Sequence, residues 1–395
     1  MKKIFPYSKQ FIDKSDIKNV VNVLKSKFLT QGPKVERLEN KIKNKVKSKY
    51  AIAMSSATAG LHLACLALNL KKGDNLWTVP NSFVASANCG LYCGAKIDFI
   101  DINSETFNID VELLKKKLIL AKKKKKLPKI LVVVHMAGSP ANLNILKKLS
   151  LIYKFKIIED ASHALGAKFN KIPIGSCRWS DLTVFSLHPV KIITAGEGGI
   201  ITTNSKDLMQ KILLLRNHGI VRDKNNLTQK KWGYWYYEQK LLGYNYRLSD
   251  IHCSLAISQI DKLDKFVKKR NAIANYYKKI LKNQNLSFQK ILKNCYSSYH
   301  LFIIQFKKMK TKQAYNKLFY ELRKNKIMVN LHYLPIHLQP LYRRMGFRMS
   351  QFMRSEDYAT NSFSIPIYPQ LKVTLYQLKV GPLLANLKRV PAELI

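Results

Sequence analysis

The chain has 395 residues and 47% hydrophobic composition, enough for two domains with substantial cores. Its 69 Lys and Arg against 24 Asp and Glu give a formal net charge of +45, which raises nucleic-acid binding as a function. The lysines are spread over the whole length among many Asn and Ile, and only Lys122 to Lys126 forms a block, at a solvated helix end and loop. Neither zinc-finger spacing nor an RNP-like aromatic motif accompanies them, so the surplus implies weak attraction for anionic substrates and no nucleic-acid partner. No apolar run approaches the ~18 residues of a membrane span. The start, Met1 to Ser8, carries charge without a following apolar core and is not a secretory signal. The six cysteines (Cys65, Cys89, Cys93, Cys177, Cys253, Cys295) include no C-x-x-C pair, as expected of reduced thiols in a cytoplasmic chain.

The spacing predicts short strands at Ala51–Met54, Asn75–Val79, Ile97–Ile100, Ile130–His135, Lys156–Glu159, Leu182–Ser186 and Gly199–Thr203. Helix-length segments such as Ala59–Leu70 and Leu143–Tyr153 lie between the first five. That alternation predicts an α/β fold with a mostly parallel seven-stranded sheet covered on both faces. The last two strands are joined by Pro189–Gly198, too short for a crossover helix, so they should pair antiparallel. After about residue 250 a long helical stretch, Asp250 to Leu281, precedes a strand at Ser298–Phe306, a helix at Lys312–Asn325 and the segment Ile327–Tyr333. The expected organisation is a large α/β domain over 1–250 and a smaller C-terminal α+β domain over 251–395.

Ligands of open α/β sheets sit at the carboxyl ends of the strands, and the informative residues cluster there. Ser55-Ser56-Ala57-Thr58-Ala59-Gly60 closes a strand and opens a helix, which suits a phosphate or equally an ordinary helix cap. Asp160 ends a buried strand, where a carboxylate needs a cationic partner; a pyridinium nitrogen supplies one, and an N-cap role is the alternative. Lys191 follows Ser186 by five residues and precedes the turn containing Gly196, Gly198 and Gly199. A Schiff-base lysine needs such a short, defined loop and a lowered pKa, although a hairpin carrying a solvated lysine reads the same way.

The order of anion loop, Asp, Ser-x4-Lys and Gly-rich turn is more specific than any member. On these residues the chain resembles the DegT/DnrJ/EryC1/StrS sugar aminotransferases, from Phe28-Leu29-Thr30-Gln31-Gly32-Pro33 to Ser364-Ile365-Pro366-Ile367-Tyr368-Pro369. The resemblance implies the fold-type-I, aspartate-aminotransferase-like architecture of PLP-dependent transferases, with pyridoxal 5'-phosphate as cofactor and no metal. It implies that Lys191 holds the cofactor covalently and later moves a proton, and that Asp160 pairs with the pyridine nitrogen. His163 would lie near the ring hydroxyl, Ala57, Thr58 and Ser186 at the phosphate, and Phe83 against the ring. Asn245 would reach the phosphate of a neighbouring subunit, which implies a homodimer with shared sites. Arg247, His218, His332 and Tyr333 would approach the sugar nucleotide.

Three segments, Tyr7-Ser8-Lys9-Gln10, Ala85-Ser86-Ala87-Asn88-Cys89 and His332-Tyr333-Leu334-Pro335-Ile336-His337, resemble the subgroup serving pseudaminic acid synthesis. This implies L-glutamate as donor and C4 of a UDP-linked 4-keto-6-deoxy-N-acetylhexosamine as acceptor. Other members of the family use different nucleotide keto-sugars, and its dehydratases replace the lysine with histidine, against which Lys191 argues. A non-enzymatic basic binder is disfavoured by Lys191, Asp160 and Ser186 occurring together. Phe83 reads equally as core, His188 as structural, and His135 has no assigned role. Trp232, Tyr234, Trp235, Tyr236 and Tyr237 form an aromatic loop suited to a dimer partner or a uracil ring. Asn142 and Asn144 stand where many relatives carry acidic residues, which puts a helix cap in question.

Overall fold

The computed structural model of the chain describes residues 4–229, 233–282, 286–307 and 311–372. Trp232 of the aromatic loop, and the part of the expected second domain beyond residue 372, lie outside the described residues.

Seven strands form the central sheet: β1 (Tyr50–Met54), β2 (Asn75–Thr78), β3 (Lys96–Phe99), β4 (Ile130–Val134), β5 (Lys156–Asp160), β6 (Leu182–Ser186) and β7 (Gly199–Thr203). Their spatial order is β1-β7-β6-β5-β4-β2-β3. β7 runs antiparallel to both neighbours, β1 and β6, while the other contacts are parallel. The sheet is therefore mostly parallel, with the expected antiparallel pairing of β6 and β7. Strands inside the sheet such as β4 are continuous apolar runs because both faces are covered, whereas the edge strand β3 leaves Lys96 exposed and Asp98 half-buried. In β4, Leu131 and Val133 enter one core and Ile130 and Val132 the other. Each such buried side chain contributes roughly 1.5–3 kcal/mol.

Three helices bear directly on the site and its surroundings. Helix α1 (Ala57–Ala67) starts at Ser56, whose Oγ accepts from Ala59 N at 3.0 Å. A Cβ on Gly60 would stand 2.8 Å from Val184 Cγ1, so glycine lets α1 lie close on the sheet. Helix α2 (Ala85–Tyr92) follows β2. Helix α3 (Leu143–Tyr153) is capped by Asn142, whose side chain accepts from Ile145 N, so the cap survives without an acidic residue. Asn144 accepts from Trp179 Nε1 at 2.8 Å.

The expected helix from Asp250 to Leu281 is two helices, α4 (Asp250–Ile260) and α5 (Leu263–Ile280). The break places Lys262 Nζ 2.7 Å from Asp13 and 2.8 Å from the buried Asp16, a tertiary contact that helical periodicity does not report. α5 and helix α6 (Lys312–Lys324) pack with the strands Leu286–Phe288, Phe302–Phe306 and Ser362–Ile365 around a third core containing Tyr277, Phe302, Ile304, Leu322 and Phe363. Of the expected strand Ser298–Phe306, only Phe302–Phe306 is regular. Among the described residues, no helix is long and apolar enough to cross a membrane.

Candidate active site

β4, β5 and β6 end together, and the chain beyond them encloses a cavity of about 530 Å³. That volume lies within the range of small-molecule sites, ~300–1,000 Å³. Val134, Asp160 and Ser186, each the last residue of its strand, reach its wall.

Asp160 is not an N-cap, because no helix follows it. Its Oδ1 accepts from the Ser162 amide at 3.1 Å and the Ser162 hydroxyl at 2.6 Å. Its Oδ2 accepts from Ser86 Oγ at 2.6 Å, and Ser86 is bonded in turn to Ser82 at 2.7 Å. Serines on two segments thus fix the direction in which the carboxylate faces.

The opposite corner is made by Ser56, Ala57 and Thr58 at the start of α1, together with Ser186. First-turn N–H groups have no intrahelical partner, and the helix dipole favours an anion there. Gly199 makes this corner possible. It pairs with Met54 and Ser186, and a Cβ would fall 2.4 Å from the Ser56 carbonyl carbon and oxygen.

Lys191 reaches the cavity from the connection between β6 and β7. That connection is internally tied, by Leu187 N to Gly198 O and Ala195 N to Leu187 O, both 2.9 Å. Gly196 turns at φ +83. Ser8 Oγ donates to Val190 O at 2.8 Å, so a segment far away in sequence also holds the loop. Burial lowers the Lys191 pKa to about 8, against the upward pull of the Asp160 charge. Lys191 is therefore not a solvated hairpin lysine.

The remaining wall is aromatic. His163 Nε2 lies 3.1 Å from the Tyr333 hydroxyl, while its buried Nδ1 has no hydrogen-bond partner. Burial, then the charges of Lys191 and His332, hold His163 well below the usual histidine range. Burial raises the Tyr333 phenol, with Asp160 and Tyr7 adding to it. His332 bonds Ser364 Oγ through Nδ1 at 3.0 Å and packs at a tilt against Tyr7, centroids 4.8 Å apart. Phe83 is 56% exposed, which excludes the core reading; its ring lies 6.0 Å from that of Tyr333. His188 is exposed and lines the cavity, against the expectation of a structural role.

Nine expected site residues therefore share one cavity: Ala57, Thr58, Phe83, Asp160, His163, Ser186, Lys191, His332 and Tyr333. Asn245, Arg247 and His218 do not line it. They gather on the neighbouring 217–219 and 243–247 segments, where Asn217 bridges to Asn245 and Arg247 Nη1 donates to Asn217 Oδ1 at 2.5 Å. Tyr246 O accepts from Ser55 N at 2.8 Å, which joins this patch to the anion corner. In the aromatic loop, Tyr234 is 93% and Trp235 68% exposed, away from the cavity. His135 faces into the protein, where its Nε2 donates to Glu159 at 2.7 Å and its Nδ1 accepts from Ala141 N.

Reading the sequence alone gave no site role to Ser86, Ser162, Tyr7, Asn330 or Leu331, although the segments holding Tyr7 and Ser86 carried the subgroup resemblance. Ser162, two residues after Asp160, is the one with a local signal, since hydroxyls at that spacing commonly bond an aspartate. Together these residues fit a phosphorylated pyridine aldehyde. Lys191 offers an amine, Asp160 an oriented carboxylate and α1 an anion seat. The unpaired His163 Nδ1 remains for a polar ring substituent.

The model of the DegT/DnrJ/EryC1/StrS aminotransferase family matches residues 10–377. The Campylobacter jejuni UDP-4-amino-4,6-dideoxy-N-acetyl-beta-L-altrosamine transaminase is 36% identical over 369 residues, 93% of either chain. The structure of Helicobacter pylori PseC, an aminotransferase involved in the biosynthesis of pseudoaminic acid, aligns with a TM-score of 0.88 at 30% identity, covering 98% of this chain and all of that one. The PMP-form of the putative sugar aminotransferase Spr1654 from Streptococcus pneumoniae aligns with a TM-score of 0.88 at 25% identity, over 98% and 99% of the two chains.

Proposed function

The chain belongs to the DegT/DnrJ/EryC1/StrS aminotransferase family, and within it we propose a pyridoxal-phosphate enzyme of pseudaminic acid synthesis. It transfers the amino group of L-glutamate to C4 of a UDP-linked 4-keto-6-deoxy-N-acetylhexosamine. Aminotransferases of this family depend on pyridoxal phosphate. The observation that carries the reading is a single cavity lined by an amine of lowered pKa, a serine-held carboxylate and a helix N-terminus. The choice of sugar is supported by the Campylobacter relative and by PseC.

Lys191, Asp160, His163, Ser186, Ala57, Thr58 and Phe83 would hold the cofactor. When bound, it supplies an aldehyde and an electron-withdrawing ring that stabilises negative charge at the substrate carbon. Ala57 and Thr58 amides, with Ser186, would hold its phosphate, and Phe83 would lie against its ring. Asp160, kept in direction by Ser86 and Ser162, would keep a proton on its ring nitrogen. His163 Nδ1, without a partner in the protein, would be free for its hydroxyl. With a pKa near 8, about a tenth of Lys191 is neutral at pH 7, far more than for a lysine at its ordinary value, as suits a group that accepts and returns a proton at the substrate carbon. His332 and Tyr333 border the sugar side of the cavity. The enzyme works in the cytoplasm as a homodimer in which Asn245, Arg247 and His218 serve the partner's cavity; their place on an adjacent patch supports this reading.

The test is a half-reaction screen. Protein loaded with pyridoxal phosphate carries a visible band that borohydride abolishes. Glutamate should convert it to the amino form, and the UDP-4-keto-hexosamine should restore it. Failure with every UDP-4-keto-hexosamine sinks the sugar assignment; a Lys191→Ala protein that keeps the reducible band sinks the site.

A further inference from the structure

The segment Tyr7-Ser8-Lys9-Gln10 stands out in the sequence, and the proposed reaction gives it no part. Its surroundings supply one. Phe5 and Pro6 pair in parallel with Ile327 and Met328, and Tyr7 O accepts from Ile367 N at 3.0 Å. Phe5, Ile327 and Ile367 all belong to the third core, and the chain after Met328 leads directly to Asn330, His332 and Tyr333 in the cavity wall. At the other end, Phe11 O accepts from Nε2 of Gln259, a buried residue of α4, at 2.8 Å. Between these anchors the chain runs past the connection that carries Lys191.

Ser8, itself buried, is where the two meet. Its Oγ donates to Val190 O at 2.8 Å, and Lys191 N donates to His188 O at 2.9 Å. Val190 O and Lys191 N are the two polar atoms of one planar peptide unit. With both bonded, the plane of that unit is set, and with it the direction in which the Lys191 side chain leaves the backbone. The N–H bond is local to the turn, whereas the carbonyl bond comes from a residue 182 positions away. Lys9, Gln10 and Phe11 continue past the same turn. With Lys191, Ile192 and Thr194 they border a void of about 10 Å³, at the lower limit for a single water. The strap therefore closes the underside of the lysine as well as tethering its backbone.

We infer that Ser8 is a positioning residue for Lys191: its hydroxyl fixes the Val190–Lys191 peptide so that the amine faces the carbonyl group it must attack. Residues 5–11 tie that placement to the wall bearing His332 and Tyr333. The inference rests on the reading of Lys191 as the residue that takes up pyridoxal phosphate. In that step the amine nitrogen bonds to the aldehyde carbon, and the aldehyde oxygen leaves as water with the two amine hydrogens. An amine that must approach one carbon from a fixed direction loses rate when its backbone can turn. The seat for the phosphate is built from α1 and Ser186, and Ser8 does not line the cavity. Removing the Ser8 hydroxyl should therefore separate capture by Lys191 from occupation of the seat.

The experiment compares the full-length native protein with Ser8→Ala and Ser8→Thr. Hydrogen–deuterium exchange of the cofactor-free proteins should show peptides covering 187–195 exchanging about tenfold faster in Ser8→Ala, with the central strands unchanged. On stopped-flow mixing with pyridoxal phosphate, the borohydride-reducible band should form about five- to tenfold more slowly. Pyridoxamine phosphate fills the same seat without bonding to Lys191, and its affinity for Ser8→Ala, by fluorescence titration, should be unchanged. Ser8→Thr keeps the hydroxyl and should recover both the exchange and the rate of the native protein. Native exchange over 187–195 in Ser8→Ala, or a native rate of band formation, overturns the inference. So do equal losses for both forms of the cofactor, which would make the role of Ser8 purely structural, and a folded Ser8→Thr as slow as Ser8→Ala. A native protein that forms no reducible band refutes the reading of Lys191 instead, and the exchange measurement still decides whether Ser8 holds the loop.

Discussion

Ser86, in the first turn of α2, donates a 2.6 Å hydrogen bond to Oδ2 of Asp160 at the end of β5, 74 residues along the chain. The other carboxylate oxygen is held by Ser162, so Asp160 enters the cavity with both oxygens directed. Hydrogen bonds to charged groups contribute about 1.5–3 kcal/mol. Ser86→Ala should therefore slow transamination by roughly tenfold or more while the protein stays folded. Asp160→Asn should still bind pyridoxal phosphate but lose on the order of 100-fold in rate, as charge complementarity to the ring nitrogen is removed. Stopped-flow half-reactions on both variants check this, and near-normal rates for Asp160→Asn would remove its assigned role.

Lys191 makes the pH dependence specific. Burial brings its pKa from 10.5 to about 8. Capture of pyridoxal phosphate by the apo-protein should accelerate as pH rises towards 8 and then level off, well below the usual lysine range. The sign for stability follows from the same shift. Between about 8 and 10.5 the unfolded chain binds a proton at this residue that the folded chain has released, so this contribution to stability grows as pH rises through that window. Asp160→Asn should move the capture midpoint lower, because the carboxylate is what pulls the value up. A midpoint near 10.5 in the native sequence contradicts the buried setting.

Gly199→Ala tests the anion corner without touching a polar group. The new methyl would lie 2.4 Å from backbone atoms of Ser56 and 2.6 Å from Ala57 N, contacts that flexible side chains cannot relieve. Overpacking of this kind costs typically 1–3 kcal/mol. The predicted result is a lower melting temperature together with weaker cofactor retention, measured by dialysis and absorbance. Unchanged retention would mean that the start of α1 does not seat the phosphate.

All seven central strands were legible as short β-branched or apolar runs, because burial on both faces leaves a continuous apolar signature such as Ile130-Leu131-Val132-Val133-Val134. Lys191 and Asp160 could be found because their neighbours along the chain form a motif. The segments of Ser86 and Tyr7 stood out as subgroup markers, but their place at the site did not, since what brings them there is packing between distant segments. The break at Asp261–Lys262 escaped for the same reason: its ion pairs reach back to Asp13 and Asp16. Phe83 was ambiguous because an aromatic residue beside a helix start suits a core as well as a cavity wall, and its exposure decides between them.

Acid should weaken the apo-protein through three buried histidines. The His163 and His300 rings meet at a tilt with centroids 4.4 Å apart, and burial holds both well below 6.5; His332 is lowered to about 3, again chiefly by burial, with the Lys191 charge adding to it. Below pH 6.5 the unfolded chain takes up protons that the folded chain refuses. The stability present above that pH is therefore lost progressively as pH falls, down to about 3 for His332. Three such groups contribute a slope of at most about 4 kcal/mol per pH unit. His332→Gln and His300→Phe should each flatten the acid limb of a plot of urea midpoint against pH between 4.5 and 7.5. The carboxylates elsewhere titrate equally in all three proteins, so the difference between curves isolates the histidines. If both variants trace the same acid limb as the native sequence, these imidazoles are not the groups whose protonation opens the fold.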